Sequence, residues 1–283
     1  MTTASLTTRE GTHVPVVISA IAKGLVIGLV AANAWPLLLA GLGMPAAAAA
    51  EAGFLALYFW WASGGGGPAS IKEARRSAFR RTSLTRAQWL WGIVASVCFA
   101  VCVHATLVVL FRLVPFPVAA FRQDYRGFAV SDPMLKWLAI VVSAASAGIC
   151  EETGFRGYMQ QPIEKRHGVF AAILISSVMF MVIHLSKSWA IPGMVPIALG
   201  AGVLLGLMAW ASGSLIPGMI AHTAMDIGMF GYWWTGTAGT FSAKTIAVTG
   251  IDAPFQITMA VAATALVLTL LAIARLRLVR PTE

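Results

Sequence analysis

The sequence predicts an all-α, polytopic membrane protein of about eight transmembrane helices, and three observations carry that prediction. Of 283 residues, 58% are apolar and only 11% are charged. A soluble domain carries about 25% charged residues and could not cover its surface with so few. The apolar residues fall in runs of the length a helix needs to cross a bilayer, not in the short alternating segments of a barrel. The basic residues gather in clusters that flank those runs, as the positive-inside bias produces. Disordered, collagen-like and coiled-coil chains are excluded by the same composition. The net charge of +9 is a product of those flanking clusters, so no nucleic-acid partner is expected.

The elements follow in order, at roughly 16–42, 45–63, 88–112, 134–160, 168–187, 194–211, 214–234 and 254–275. The first is too long for the apolar core of a signal peptide and reads as a retained helix. Its Lys23 is expected to snorkel toward the nearer interface. The second opens weakly, with Pro45 and the alanines 46–50, and stops at Gly64–Gly67 and Pro68. Glu51, close to its start, is read as interfacial. The third carries Cys98 and Cys102, and the fourth Cys150, all read as small buried residues and not as a disulfide framework. His104 in the third is read as a neutral imidazole satisfied by a neighbouring carbonyl. Gly213, Pro217 and Gly218 loosen the start of the seventh helix and allow close approach of its neighbours. Trp60, Trp61, Trp89, Trp91, Trp189, Trp233 and Trp234 lie near helix ends and read as an interfacial belt. With no long repeat and no soluble insertion, residues 1–283 form one integral-membrane domain.

Orientation comes from counting. The loop 64–87 holds six Lys/Arg (Lys72, Arg75, Arg76, Arg80, Arg81 and Arg86) and is expected in the cytoplasm. An even number of helices then places both termini there. Arg275, Arg277 and Arg280 agree, without having been used. The loop 113–133 opposes weakly, with Arg122 and Arg126 against Asp124 and Asp132, and with Arg112 and Lys136 at its edges.

The residues that are costly in hydrocarbon carry the functional information. They concentrate in three helices. In Glu151-Glu152-Thr153-Gly154-Phe155-Arg156 the adjacent carboxylates diverge by about 100° and cannot share one task. Glu152 and Arg156, four apart with Glu first, are placed for a structural ion pair. Glu151 is left without a partner on its own helix, and a desolvated carboxylate with no cation suits a general base. In Phe180-Met181-Val182-Ile183-His184 the aromatic and the imidazole share a face. In His222-Thr223-Ala224-Met225-Asp226 the carboxylate is positioned to fix the imidazole, or both to face a metal or a water. Each set alone also fits a buried packing network. Together, two imidazoles and three carboxylates in a bilayer fit the activation of water, with Glu151 taking the proton. One tension stands. Counted from the cytoplasmic helix ends at 1.5 Å per residue, Glu151 and His222 lie roughly 12–14 Å deep and His184 roughly 24 Å. The fifth helix must then tilt strongly or begin later.

In order along three helices, EExxxR, FxxxH and HxxxD resemble the motifs of the CAAX protease and bacteriocin-processing enzyme family, also called the abortive-infection family. It includes the Ras-converting CAAX prenyl endopeptidase. The resemblance covers about residues 130–235. It implies an eight-helix intramembrane endopeptidase with its cavity open to the cytosol. It implies Glu151 as the base with His184 beside it, Phe180 as the packing residue of the second motif, and His222 with Asp226 as an oxyanion or metal site. The third motif often ends in Asn. Asp226 adds a negative charge, which favours a zinc ion held by His184, His222 and Asp226 over a metal-free oxyanion site. No HExxH helix is present, so an ordinary zincin is excluded. The partners implied are the lipid bilayer and a membrane-associated peptide or protein substrate; the short Ala- and Trp-rich chain, without extended soluble loops, points to a bacterial plasma membrane. Two other readings compete: a transporter or proton relay, disfavoured because no matching half is visible, and a catalytically silent membrane scaffold.

Overall fold

The computed structural model describes residues 13–80, 82–234 and 244–281. Arg81 of the basic loop and residues 1–12, on which the expected position of the N-terminus rests, lie outside the described residues. All regular structure among the described residues is helical. Helix α1 spans Val16–Leu42 and contains a π-helical stretch at Val26–Val30. It is followed by α2 (Ala46–Ala62), α3 (Ala69–Ala78), α4 (Arg86–Leu113) and α5 (Val118–Asp124). Helix α6 covers Pro133–His167, with a π-helical stretch at Thr153–Gln160. Then come α7 (Val169–Leu185), α8 (Met194–Ser212), α9 (Ile216–Trp234), α10 (Ile246–Thr249) and α11 (Ala253–Leu278).

Each of the eight expected stretches is helical. Five helices, α1, α4, α6, α8 and α11, are long and apolar enough to cross a membrane, and α2 and α7 are shorter apolar helices. Helix α9 carries His222 and Asp226 and stands outside both sets. The short α3 and α5 have no counterpart in the sequence reading, because they are too short and polar to register as spans. Helix α3 is tied back to α2: the Arg75 guanidinium donates to the carbonyls of Trp61, Gly65 and Gly66 at 2.6, 3.1 and 2.5 Å.

The fourth expected helix ends later than position 160. Pro162 does not stop it: the helix runs without a break from the π-helical stretch Thr153–Gln160 into Gln161–His167. The turn is made by Gly168, at φ 82°. This extension removes the depth conflict. Counted from His167, Glu151 lies about 24 Å deep, and counted from Val169, His184 lies about 22 Å deep. His222 sits shallow in its own helix because the α8–α9 turn is recessed: Ser212, Ser214 and Leu215 are all buried. That turn is capped from outside. Thr82 donates to the Gly213 carbonyl at 2.7 Å, Gln88 to Ser212 at 3.1 Å, and Arg280 to Trp210 at 2.9 Å.

Helix α9 packs between α4 and α6, α11 lies along α4, and α7 lies against α8. Helix α1 crosses α6 where Gly24 and Gly28 meet Gly154. A Cβ on Gly154 would stand 2.5 Å from the Gly24 carbonyl and 2.6 Å from the Gly28 Cα, so this crossing needs glycine.

Three sequence expectations change. Trp189 and Trp233 are buried and join Phe111, Phe116, Phe121 and Tyr125 in an aromatic cluster, because the chain after α4 folds back over the bundle end. Glu51, near the start of α2, is not solvated there. It is 0% exposed, and neither carboxylate oxygen has a hydrogen-bond partner, because the small alanine face of α2 lets it pack onto α6. His104 finds no carbonyl: its Nδ1 is unpartnered and its ring meets Tyr232 edge-on at 4.8 Å.

Candidate active site

Adjacent positions on α6 send Glu151 and Glu152 in different directions, as the 100° step requires. Glu152 turns inward and is 0% exposed, as is Arg156. Arg156 Nη1 donates to Glu152 Oε1 at 2.9 Å, and Nη2 donates to the Gly202 carbonyl at 3.1 Å. The guanidinium carbon stands 4.4 Å from the centroid of the Phe180 ring. A buried guanidinium is thus matched by a carboxylate, a carbonyl and an aromatic face. Gly202 can approach because a small residue stands there; its Cβ would meet Ser177 at 2.9 Å.

His222, 1% exposed, donates from Nδ1 to Glu152 Oε1 at 3.0 Å. Spacing along the chain could not signal this contact, since α6 and α9 are 70 residues apart at that point. Its expected partner, Asp226, stands 3.8 Å from Nε2, beyond hydrogen-bond reach. The tautomer is therefore set by Glu152. Glu152 accepts from both Arg156 and His222, one oxygen serving two donors, while its Oε2 has no partner.

Glu151 turns the other way, onto a cavity of about 460 Å3 that it lines with His184, His222, Asp226 and Phe180. Its Oε2 is buried without a hydrogen-bond partner and stands 4.0 Å from His184 Nε2. The carbonyl of Phe180, one turn back on α7, can only accept, and it lies 2.8 Å from His184 Nδ1. That bond fixes the proton on Nδ1 and leaves Nε2 with its lone pair toward Glu151. Phe180 also meets the His184 ring at 4.1 Å and the His222 ring at 5.7 Å, so one side chain wedges both imidazoles and the guanidinium. The structure thus brings all seven residues of the three motifs into one neighbourhood.

The zinc expectation meets an obstacle. Among the described residues no three His, Cys, Asp or Glu side chains are grouped so that they could hold a metal ion. Both Nδ1 atoms are engaged, and the two Nε2 atoms face different carboxylates. The ligand set does not fit a metal as the side chains stand.

Lys187 and Tyr125, which the sequence reading did not single out, line the outer part of the cavity with Asp124, read only as a loop charge, and Trp189, read as interfacial. Ser188 holds the Asp124 carboxylate through its amide at 2.9 Å and its hydroxyl at 2.7 Å. Burial pushes the Tyr125 phenol up from its ordinary range, and the nearby Asp226 carboxylate adds to it, so Tyr125 keeps its proton and can donate. Asp124 ends α5 and Tyr125 follows it, and Lys187 and Trp189 lie on the loop after α7, where neither periodicity nor spacing marks them. The resemblance implied a cavity open to the cytosol. The outer cavity residues come from segments on the bundle end opposite the basic 64–87 loop. A cytosolic cavity and a cytosolic basic loop therefore cannot both hold.

Residues 133–228 match the family model described as type II CAAX prenyl endopeptidase Rce1-like. The match supports the family that the three motifs resemble. It contains every motif residue and spans roughly a third of the 283-residue chain. No curated protein and no solved structure matches the chain. The apolar helices and the match to a family of membrane proteases together support an integral-membrane protein.

Proposed function

We propose that this protein is an intramembrane endopeptidase that hydrolyses a peptide bond with a water activated by Glu151. One observation carries the reading: a buried, unpartnered carboxylate oxygen faces a cavity, 4.0 Å from an imidazole nitrogen whose lone pair is aimed at it. A water at about 2.8 Å from each would donate one hydrogen to Glu151 and the other to His184 Nε2. Its lone pair would then point into the cavity toward a substrate carbonyl. Glu151 takes the proton as oxygen attacks the carbonyl carbon, and returns it to the leaving nitrogen as the carbon–nitrogen bond breaks. The developing oxyanion is met by the Nε2 side of His222. The ring is assigned as protonated there: Arg156 and His222 then offset Glu152 and Asp226, and the Glu151 base alone keeps a net negative charge in the site. With Asp226 beyond hydrogen-bond reach of Nε2, that N–H is available to the oxyanion.

The substrate this reading implies is a membrane-associated peptide or protein. The test uses detergent-purified wild type and Glu151→Gln incubated with a peptide pool, with new termini identified by mass spectrometry. Wild type is expected to generate defined cleavages and Glu151→Gln none, while eluting and melting like wild type. Cleavage by Glu151→Gln at the wild-type rate sinks the assignment.

A further inference from the structure

We infer that Tyr125 is a second oxyanion donor of this site: its hydroxyl and the Nε2–H of His222 together hold the carbonyl oxygen of the bond being cut. This role deepens the peptidase reading above and rests on it.

The need for such a donor comes from Asp226. Charge that develops on a carbonyl oxygen is stabilised by donors already aimed at it. One turn after His222, Asp226 places a carboxylate 3.8 Å from Nε2. An ionised Asp only accepts hydrogen bonds, and its charge repels an oxyanion. The other motif residues are committed elsewhere. His222 has given Nδ1 to Glu152 at 3.0 Å, so its ring offers substrate a single N–H. His184 Nδ1 is spent on the Phe180 carbonyl at 2.8 Å, and its Nε2 faces Glu151. Arg156 is buried against Glu152 and the Gly202 carbonyl. The three motifs therefore supply one donor to the oxyanion and no more.

Tyr125 supplies the other. It lines the same cavity as Glu151, His222 and Asp226. Its ring packs on Phe230 at 4.7 Å, and Phe230 stands one turn beyond Asp226 on the same face of α9. That contact ties the phenol to the end of the third motif. Phe121 at 4.9 Å and Phe128 at 5.9 Å also hold the ring, so the hydroxyl is in place before substrate arrives. Its proton is available. The polar side chain beside it is Trp189, whose indole Nε1–H is buried without a hydrogen-bond partner. An indole N–H can only donate, so it leaves the phenol's own proton unspent. Burial pushes the phenol up, and the carboxylates of Asp226, Glu151 and Asp124 push it further, against the Trp189 N–H. Tyr125 therefore stays protonated and hydrogen-bonds the oxyanion without giving up its proton. Lys187, the cation on this wall, is exposed at the rim and stays solvated.

The test measures kcat and KM of the purified protein on a peptide that the wild type cleaves. Tyr125→Phe keeps the ring and its packing and loses only the hydroxyl. Its kcat should fall by about 10²–10³-fold, the loss on removing one oxyanion donor, with KM and melting temperature unchanged. The same peptide with a phosphinate in place of the scissile amide is tetrahedral and anionic. It should bind Tyr125→Phe more weakly than wild type by a similar factor. Asp226→Asn puts an amide N–H where the carboxylate stood. In the Tyr125→Phe background it should raise kcat at least about tenfold, a rescue that a packing defect would not show. Turnover by Tyr125→Phe within about threefold of wild type, with Glu151→Gln inactive, overturns the role of Tyr125 and leaves the peptidase reading standing. A lowered melting temperature with no rescue by Asp226→Asn overturns it too, and makes Tyr125 a packing residue. Wild type that cleaves no peptide removes the peptidase reading, and this role with it.

Discussion

Removing Arg156 should unfold the site from beneath and not from the cavity. The guanidinium makes three contacts inside the protein: Glu152 at 2.9 Å, the Gly202 carbonyl at 3.1 Å and the Phe180 ring at 4.4 Å. Arg156→Met keeps most of the volume and loses all three. It also strands Glu152, which is 0% exposed and keeps only His222 as a donor. Breaking a buried pair by removing one partner costs about 3–5 kcal/mol, and Glu152→Gln should cost a similar amount by stranding the arginine. The double variant Glu152→Gln/Arg156→Met leaves no uncompensated charge. It should lie well short of the sum of the singles, with a coupling of at least about 2 kcal/mol. Reversible unfolding in mixed micelles, followed by tryptophan fluorescence, gives the four free energies. Glu151→Gln, on the cavity side of the same helix turn, serves as the comparison and should change stability by less than about 1 kcal/mol. Additivity of the two single variants within about 0.5 kcal/mol would refute the shared network.

Two further outcomes are expected. Prolonged chelation should leave turnover of the purified protein unchanged, because no described group of side chains is arranged to hold a metal; loss of activity restored by added zinc would show that the side chains regroup around an ion. Gly154→Ala should lower the melting temperature through overpacking of about 1–3 kcal/mol, since its Cβ would meet the α1 backbone at 2.5 and 2.6 Å. Gly228→Ala, with nothing within 4 Å of its Cβ, is the control, and equal melting of the two variants would contradict the close crossing.

Sequence alone determined what depends on composition and on spacing within one helix. Apolar runs separated by basic clusters specify a membrane bundle because lipid tolerates little else. Glu152 and Arg156, four apart, fall on one helix face whatever the tertiary structure, and the same step forces Glu151 to another. Partners on different helices were not legible. Glu152 bonding His222, and Glu151 facing His184, depend on how α6, α7 and α9 pack, and no spacing encodes a contact across 70 residues. Asp226, the obvious i,i+4 partner of His222, stands off at 3.8 Å because the interhelical donor–acceptor pair fits better. Depth was not legible either: the apolar run gives no sign of continuing past 160, whereas α6 runs on to His167 and Glu151 descends to the level of His184. Tertiary structure alone decided the side on which the cavity opens. That depends on which loops fold over the bundle and which residues fill its floor, and charge counting orients the ends of a bundle without saying which end is hollow.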